Sequence, residues 1–328
     1  MDQAVLGQSR VPPKITVLGN INLDFSIQVE RMPERGENLV AENFELVPGG
    51  KGANQAVAAA RLGAETVLIG MVGNDNYGRV LRRRLSHEAV NVKFVRSDED
   101  AATGMAFVVV TRNGGDNRIL SVLGANLNVT PDQVESAHRA FERADFLLTA
   151  LGVSEVTVNR ALQIAADCSL PALLDPAPLG KKPPQLWNSA SVLTPNQTEA
   201  SRLSGVTVQD LPSSRVAAEK LARRGISRTV ITLGKDGCLL YDEDGARVIP
   251  GFRVQAVDPT GAGDAFGAAL AVRLAEHATL EEAATFACAA GALACTVRGA
   301  QPSLPTREQV EELLKRTRRD KKLKITAL

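Results

Sequence analysis

The sequence predicts an α/β fold of three layers, a mainly parallel central sheet with helices on both faces, plus a small separate β-sheet. Two observations carry this. From Ala64 onward, short apolar runs of strand length alternate with amphipathic stretches of helix length. Four runs with polar–apolar alternation interrupt that progression and read as a sheet of their own. With 328 residues and 44% hydrophobic content, the chain can fill one large core. No internal repeat or interdomain linker divides it, so one domain is expected over residues 14–316. Residues 1–13 and 317–328 are expected to be mobile ends.

Taken in order, Lys14–Gly19 reads as a buried first strand. The alternating runs at 25–29 and 39–46, and at 103–111 and 117–123, give the small sheet, within 25–48 and 103–123. Asn113-Gly114-Gly115-Asp116 between the last two is a hairpin signal. Parallel strands are expected at 66–70, 146–150, 170–174, 191–193 and 229–233. Helices are expected at 78–89, 131–144, 155–167, 198–203 and 213–224, and a helical run to Arg61 opens at the Pro48–Ala56 element. Right-handed crossovers would place them on both faces. A hairpin at 238–241 and 247–254 comes next, then a strand-like run at 252–257. Helices at 263–276 and 280–297 follow, and the basic run 315–324 reads as a solvated, frayed end.

Composition narrows the function. Net charge is +1, so no general attraction to nucleic acid or to an anionic membrane is expected. Cys168, Cys238, Cys288 and Cys295 lack metal-ligand spacing and lie in apolar surroundings, as buried thiols do in a reducing cytoplasm. No secretory leader is evident in residues 1–13, and no apolar run has the length of a membrane span. A soluble, cytoplasmic protein is the expectation.

The chemistry gathers at strand ends and glycine-rich turns. Asp258-Pro259-Thr260-Gly261-Ala262-Gly263-Asp264 opens an apolar helix. Its glycines leave backbone amides uncovered, and the helix dipole favours an anion there. A carboxylate at the same place, Asp264, suits proton handling or a cation; taken alone it is also a favourable first-turn acid. Pro48-Gly49-Gly50-Lys51-Gly52-Ala53-Asn54 opens a second helix. Asn22 and Asp24 follow the first strand, where open α/β sheets bind ligands, although an Asx turn would use the same residues. Asn196 and Glu199 have the spacing of a capping box. Neither a Walker-type phosphate loop nor a dinucleotide fingerprint is present, which argues against a P-loop enzyme and a dehydrogenase.

The two glycine-rich elements, in this order and near these ends of the chain, resemble the signatures of the ribokinase-type (PfkB) carbohydrate kinases. The resemblance runs from about Ile15 to Pro305. It implies that family's fold, with the small sheet as a lid over the sugar that often packs against a second subunit, hence a homodimer. It implies an ATP- and Mg²⁺-dependent sugar kinase, with ribose phosphorylated at its 5-hydroxyl as the first expectation. A sibling acting on deoxyribose, another sugar or a nucleoside is the alternative, and a non-catalytic sugar-binding regulator a third reading.

By the same resemblance Asp264 is the general base, and the amides of Gly261, Ala262 and Gly263 form an anion hole. Asn22, Asp24, Gly50, Lys51, Gly52, Asn54 and Ala106 would hold the sugar. Asn196, Thr232, Gly234, Gly237, Gly263 and Cys288 would meet the nucleotide, with Glu199 and Asn196 in the Mg²⁺ region. A K⁺ site would draw on Asp258, Thr260, Ala294, Val297, Gly299 and Ser303. One position departs from the pattern: Gly152 stands where the family commonly places a sugar-contacting glutamate.

Overall fold

The computed structural model describes residues 11–112, 117–180, 189–319 and 326–327. Its centre is β1 (Lys14–Leu18), paired in parallel with β4 (Glu65–Gly73) on one side and β8 (Phe146–Ala150) on the other. Parallel pairing continues from β8 through β9 (Ala172–Asp175) and β10 (Val192–Leu193) to β11 (Thr229–Thr232). Antiparallel β12 (Cys238–Asp242), β13 (Gly245–Ile249) and β14 (Thr326–Ala327) complete that edge. The opposite edge is β5 (Val90–Asp98), parallel to β4.

Alternation along β1 makes the layers. Ile15 and Val17 point into one core, Leu18 into the other. The first core is roofed by α1 (Lys51–Arg61), α2 (Asn76–His87), α8 (Ala262–Ala275), α9 (Leu280–Ala294) and α11 (Arg307–Arg319). Alanine and glycine dominate α8 and α9, so α8 packs closely against both α9 and α1. The second core lies beneath α3 (Pro131–Ser136), α4 (His138–Arg143) and α5 (Glu155–Asp167). On that same face, α6 (Gln197–Ser204) and α7 (Leu211–Ala222) continue the layer.

The lid is a separate sheet in the order β3 (Asn43–Gly49), β2 (Asn22–Val29), β6 (Gly104–Thr111), β7 (Asn117–Val122). Its register fixes two rows. Val47, Asp24, Ala106 and Ser121 lie side by side on one face; Leu46, Phe25, Phe107 and Leu120 lie side by side on the other. Phe25 stacks on Phe107 with centroids 5.0 Å apart and meets Tyr77 of α2 edge-on at 5.9 Å. The expected hairpin loop 113–116 lies outside the described residues.

Several expectations are corrected. The stretch 252–257 is not a strand, and β13 stops at Ile249 because Pro250 has no N–H for the ladder. The single helix expected at 131–144 is two, broken at Ala137, where Ser136 bonds back to the Gln133 carbonyl. The second strand of the lid starts only at Asn43, and the helix expected to reach Val297 stops at Ala294. β5, absent from the sequence reading, is an edge strand with alternating burial. At the C-terminus, α11 continues to Arg319, and Thr326–Ala327 pair with β13.

Candidate active site

The C-terminal ends of β1 and β9, the start of α1 and the start of α8 converge under the lid. Gly50, at φ 89°, lets the chain turn from β3 into α1. A Cβ there would lie 2.7 Å from the Asn20 carbonyl oxygen and 2.7 Å from the Asn22 amide. Gly52 is pressed as closely on Gly19, at 2.5 Å. These contacts bring the Gly50–Lys51–Gly52 turn against the Asn20–Asp24 strand end. Lys51 and Asn54, one turn apart on α1, then face the first turn of α8.

Asp264 lies in that first turn and is buried. Its Oδ2 accepts Asn54 Nδ2 at 2.8 Å, and its Oδ1 lies 3.4 Å from Lys51 Nζ. The Lys51 ammonium is shared, since it also donates to Asp175 Oδ2 at 2.9 Å. Asp175 Oδ2 accepts Gln55 Nε2 at 2.9 Å, and its Oδ1 accepts the Ala177 amide at 3.1 Å. Burial raises the Asp175 carboxyl to about 6, against the pull of Lys51. For Lys51, burial favours the neutral amine, but Asp175, Asp264 and Glu199 outweigh it and push its pKa up. The lysine is an ammonium throughout the physiological range.

Asp24, on the lid face beside Ala106, is raised to about 7, first by burial and then by the charge of Asp264. Its Oδ1 is buried with no hydrogen-bond partner among the described residues, as is Asn54 Oδ1. Two orphaned acceptors beneath a lid suit a ligand rich in hydroxyl donors. Asn22 Oδ1 accepts Asn126 Nδ2 at 3.0 Å, and the same Asn126 side chain accepts the Ile21 amide and donates to the Ile21 carbonyl.

The N-terminus of α8 carries no side-chain cap; Gly261 enters it in the left-handed region, φ 83°. A Cβ on Gly263 would meet nothing within 4 Å, so an anion can reach that backbone. Of the three expected amides, that of Ala262 is engaged inside the turn, donating to the Pro259 carbonyl at 3.1 Å.

Asp258 sits just before this turn. Its Oδ1 accepts the Thr260 amide at 2.9 Å and the Thr260 hydroxyl at 2.6 Å; its Oδ2 accepts the Gly299 amide at 2.8 Å. Burial opposes its charge, but these bonds and Arg298 hold the carboxyl below the usual range. Ser303, in the short helix α10 (Ala300–Ser303), donates to the Ala300 carbonyl at 2.7 Å and lies 3.4 Å from the Thr260 carbonyl. The Val257 and Asp258 amides donate to the Cys295 carbonyl, which places the end of α9, between Ala294 and Val297, against the same turn. Arg61 of α1 ties this loop down through the Gln301 and Leu304 carbonyls at 2.9 and 2.8 Å.

Across the sheet, Asn196 and Glu199 form a true capping box, with 2.9 Å bonds in both directions. Asn196 bridges to Thr232, and the Leu233 amide closes on the Gly237 carbonyl. Cys288 is buried, its Sγ 3.6 Å from Cys238 Sγ.

Residues 12–307 match the model of the pfkB family carbohydrate kinases. The chain belongs to that family. It is 37% identical over 300 residues to the ribokinase of Haemophilus influenzae, covering 92% of this chain and 98% of that one. To the deoxyribokinase of Salmonella typhimurium it is 32% identical over 301 residues, covering 92% and 98%. Among solved structures it resembles Arabidopsis thaliana ribokinase complexed with ribose and ATP, with a TM-score of 0.85 and 32% identity, covering 93% and 99%. As a pfkB kinase the chain is a phosphotransferase acting on an alcohol group, and an ATP-dependent kinase works with a divalent metal. Among the described residues no group of three or more His, Cys, Asp or Glu could hold a metal. A divalent ion such as Mg²⁺ keeps several waters and takes phosphate oxygens, so one or two protein oxygens suffice to hold it. No helix among the described residues is long and apolar enough to cross a membrane.

Sequence reasoning missed Asp175, Gln55, Asn20 and Asn126. Gln55 was legible in principle, one residue after Asn54 on the same helix. Asp175 was hidden because the strand carrying it was expected to end at Leu174, one residue short.

Proposed function

We propose that the chain transfers the γ-phosphoryl group of ATP to the 5-hydroxyl of ribose. The observation that carries this is the placement of Asp264, a buried carboxylate in the uncapped first turn of α8, facing Asn54, Lys51 and Asp24. Asn22, Asp24, Asn54 and the Gly50–Gly52 backbone hold the sugar, and Ala106 leaves room for it beside Asp24. The orphaned oxygens of Asp24 and Asn54 support this, since sugar hydroxyls would satisfy them. As the bond from sugar oxygen to phosphorus forms and the bond to the ADP oxygen breaks, the hydroxyl proton passes to Asp264. A carboxylate suffices when the proton leaves late in a loose transition state. The amide at Gly263 faces the charge that develops on the transferred group.

The nucleotide lies along Asn196, Thr232, Gly234 and Gly237, with Cys288 in the floor. Glu199 and Asn196 would hold Mg²⁺ through water, and the ion supplies charge neutralisation on the phosphates. Asp258, Thr260, Gly299 and Ser303, with carbonyls at Ala294 and Val297, would hold K⁺; this oxygen-only set suits a weakly hydrated cation. The exposed apolar row of Leu46 and Leu120 on the outer lid face supports a homodimer.

A second reading, a related sugar such as deoxyribose, is favoured by one observation. Position 152 has no space for a side chain beside Asn20. ATP-dependent phosphorylation of ribose, deoxyribose, fructose and adenosine decides between them. Ribose should dominate; turnover led by another sugar would move the assignment, and no turnover of any would overturn the kinase site.

A further inference from the structure

Asn22 and Asp24 lie on one face of β2, yet they present opposite chemistry to the cleft. We propose that Asn126 is a positioning residue of the sugar site: it holds the Asn22 carboxamide by its oxygen, so that the amide nitrogen is left to donate to a sugar oxygen. This rests on the reading of the cleft as a sugar site.

The orientation follows from donors and acceptors alone. The Asn126 carboxamide is fully buried, and its Oδ1 accepts the Ile21 amide at 2.8 Å. A backbone N–H can only donate, so the oxygen of Asn126 must be at that end. Its Nδ2 then faces the Leu123 carbonyl at 2.8 Å, Asn22 Oδ1 at 3.0 Å and the Ile21 carbonyl at 3.1 Å. Turning Asn22 over would set one NH₂ group against another. Asn22 is therefore fixed with Oδ1 inward and Nδ2 outward. That nitrogen donates to nothing among the described residues and remains open to an incoming group.

The slot for this contact is built into the lid. Gly104 pairs with Asn22, and a Cβ there would lie 2.1 Å from Asn126 Nδ2 and 2.5 Å from Asn22 Oδ1. Only a glycine lets the two carboxamides meet. Asn126 itself sits outside the lid, in the 3₁₀ turn Gly124–Asn128. The Ala125 amide docks this turn on the Ala102 carbonyl at 2.8 Å. Just beyond it, the Thr157 hydroxyl of α5 donates to the Val129 carbonyl at 2.6 Å. Asn22 is the first residue of β2, where the lid leaves the core. A side chain anchored on the core thus decides what the root of the lid shows to a ligand.

The cleft then offers one amide donor beside the orphaned acceptors of Asp24 and Asn54. A hydroxyl can serve both kinds, donating its hydrogen to an acceptor and receiving the Asn22 N–H on a lone pair. Such a set fits a polyol, and it penalises a ligand that lacks an oxygen opposite Asn22.

The test is calorimetric titration with ribose and with deoxyribose, without nucleotide. The proteins are full-length wild type, Asn22→Asp, Asn22→Ala, Asn126→Ala and the double alanine variant. Asn22→Asp keeps the size of the side chain and the oxygen that Asn126 holds, but turns the outward donor into an acceptor. It should weaken sugar binding about tenfold or more. If Asn22 instead offered its oxygen to the sugar, a carboxylate would bind as well or better. Native affinity in Asn22→Asp therefore overturns the proposal.

Asn126→Ala should weaken sugar binding about tenfold in the native background, and by less than about twofold beside Asn22→Ala. Steady-state rates should show the loss in the sugar KM, with the ATP KM kept within about twofold. A purely structural Asn126 would weaken both backgrounds alike, and that result also overturns the proposal. If Asn126→Ala does not fold, the Asn22→Asp result decides alone. Wild type that binds neither sugar defeats the reading of the cleft itself, and this inference with it.

Discussion

The carboxamide of Asn20 occupies the volume into which a side chain at position 152 would grow. A Cβ on Gly152 would lie 2.2 Å from Asn20 Oδ1 and 2.8 Å from Asn20 Cβ, while that same Oδ1 accepts the Gly52 amide at 3.3 Å. The two positions, on β1's exit and β8's exit, are therefore reciprocal. The glutamate that the family pattern led us to expect at 152 is not merely missing. Its space is filled from the other strand by an amide that also steadies the Gly50–Gly52 turn.

Gly152→Glu should therefore not enhance sugar binding by itself. It forces Asn20 off the Gly52 amide and should cost about 1–3 kcal/mol of stability, as overpacking does. Asn20→Ala combined with Gly152→Glu should recover much of that loss. Thermal melting of the two single variants and the double checks this; a double variant no better than the sum of the singles would show that the volume is not shared.

Asp264→Asn should bind sugar with near-native affinity and lose about 10²–10⁴-fold in kcat, the usual contribution of a general base. Its amide can still meet Asn54, so the fold should persist. Calorimetric titration with sugar beside steady-state rates separates binding from turnover, and near-native turnover would remove Asp264 from the chemistry.

Much of this was legible in the sequence where the signal was local. The periodicity of β1, β8 and β11 and the glycine turns at Gly50 and Gly261 place the strand ends and helix starts that make the site. The capping box at Asn196–Glu199 was readable from spacing alone. Asp175, Asn20 and Asn126 were not, because each acts through a partner more than 30 residues away, and no local pattern marks such a partner. Pro250 was visible, yet alternation beyond it outweighed the missing N–H in the reading, and the strand there was drawn too long.

Asp24 should couple stability to pH with a definite sign. Its carboxyl is raised to about 7 in the fold from 3.8, so the folded state holds its proton where the unfolded chain has released it. The stability this supplies is complete below pH 3.8 and is lost as pH rises towards 7. Asp24→Asn removes that loss, so without sugar it should melt higher than wild type by more at pH 8 than at pH 5. Sugar affinity should fall in the same variant, since the ionised carboxylate is the better acceptor. Equal melting differences at both pH values would contradict the shift.

The carboxylate of Asp258, which accepts the Thr260 and Gly299 amides, lies directly before the α8 turn. A cation there would set the posture of the Gly261–Gly263 backbone without touching substrate. Replacing K⁺ with tetramethylammonium at constant ionic strength should depress kcat more than the sugar KM. Indifference to the cation would remove it from the mechanism.

The register of the lid places its site face and its outer apolar face on the same strands. Asp24 and Ala106 sit on the face towards the sugar, and each is followed in its strand by Phe25 or Phe107 on the other face. The outer row ends in Leu46 and Leu120, 45% and 70% exposed, and Phe44 and Val122 extend the same face at 54% and 52%. A four-stranded sheet with one such face uncovered leaves apolar area in water that a second copy would remove. Leu120→Lys with Leu46→Lys should therefore shift the mass measured by light scattering to that of one chain. Because the same strands carry Asp24, the separated chains should show a raised sugar KM with a smaller change in kcat. Dimers that persist in the double variant would place the subunit contact elsewhere; monomers with an unchanged KM would show that the lid holds its shape unaided.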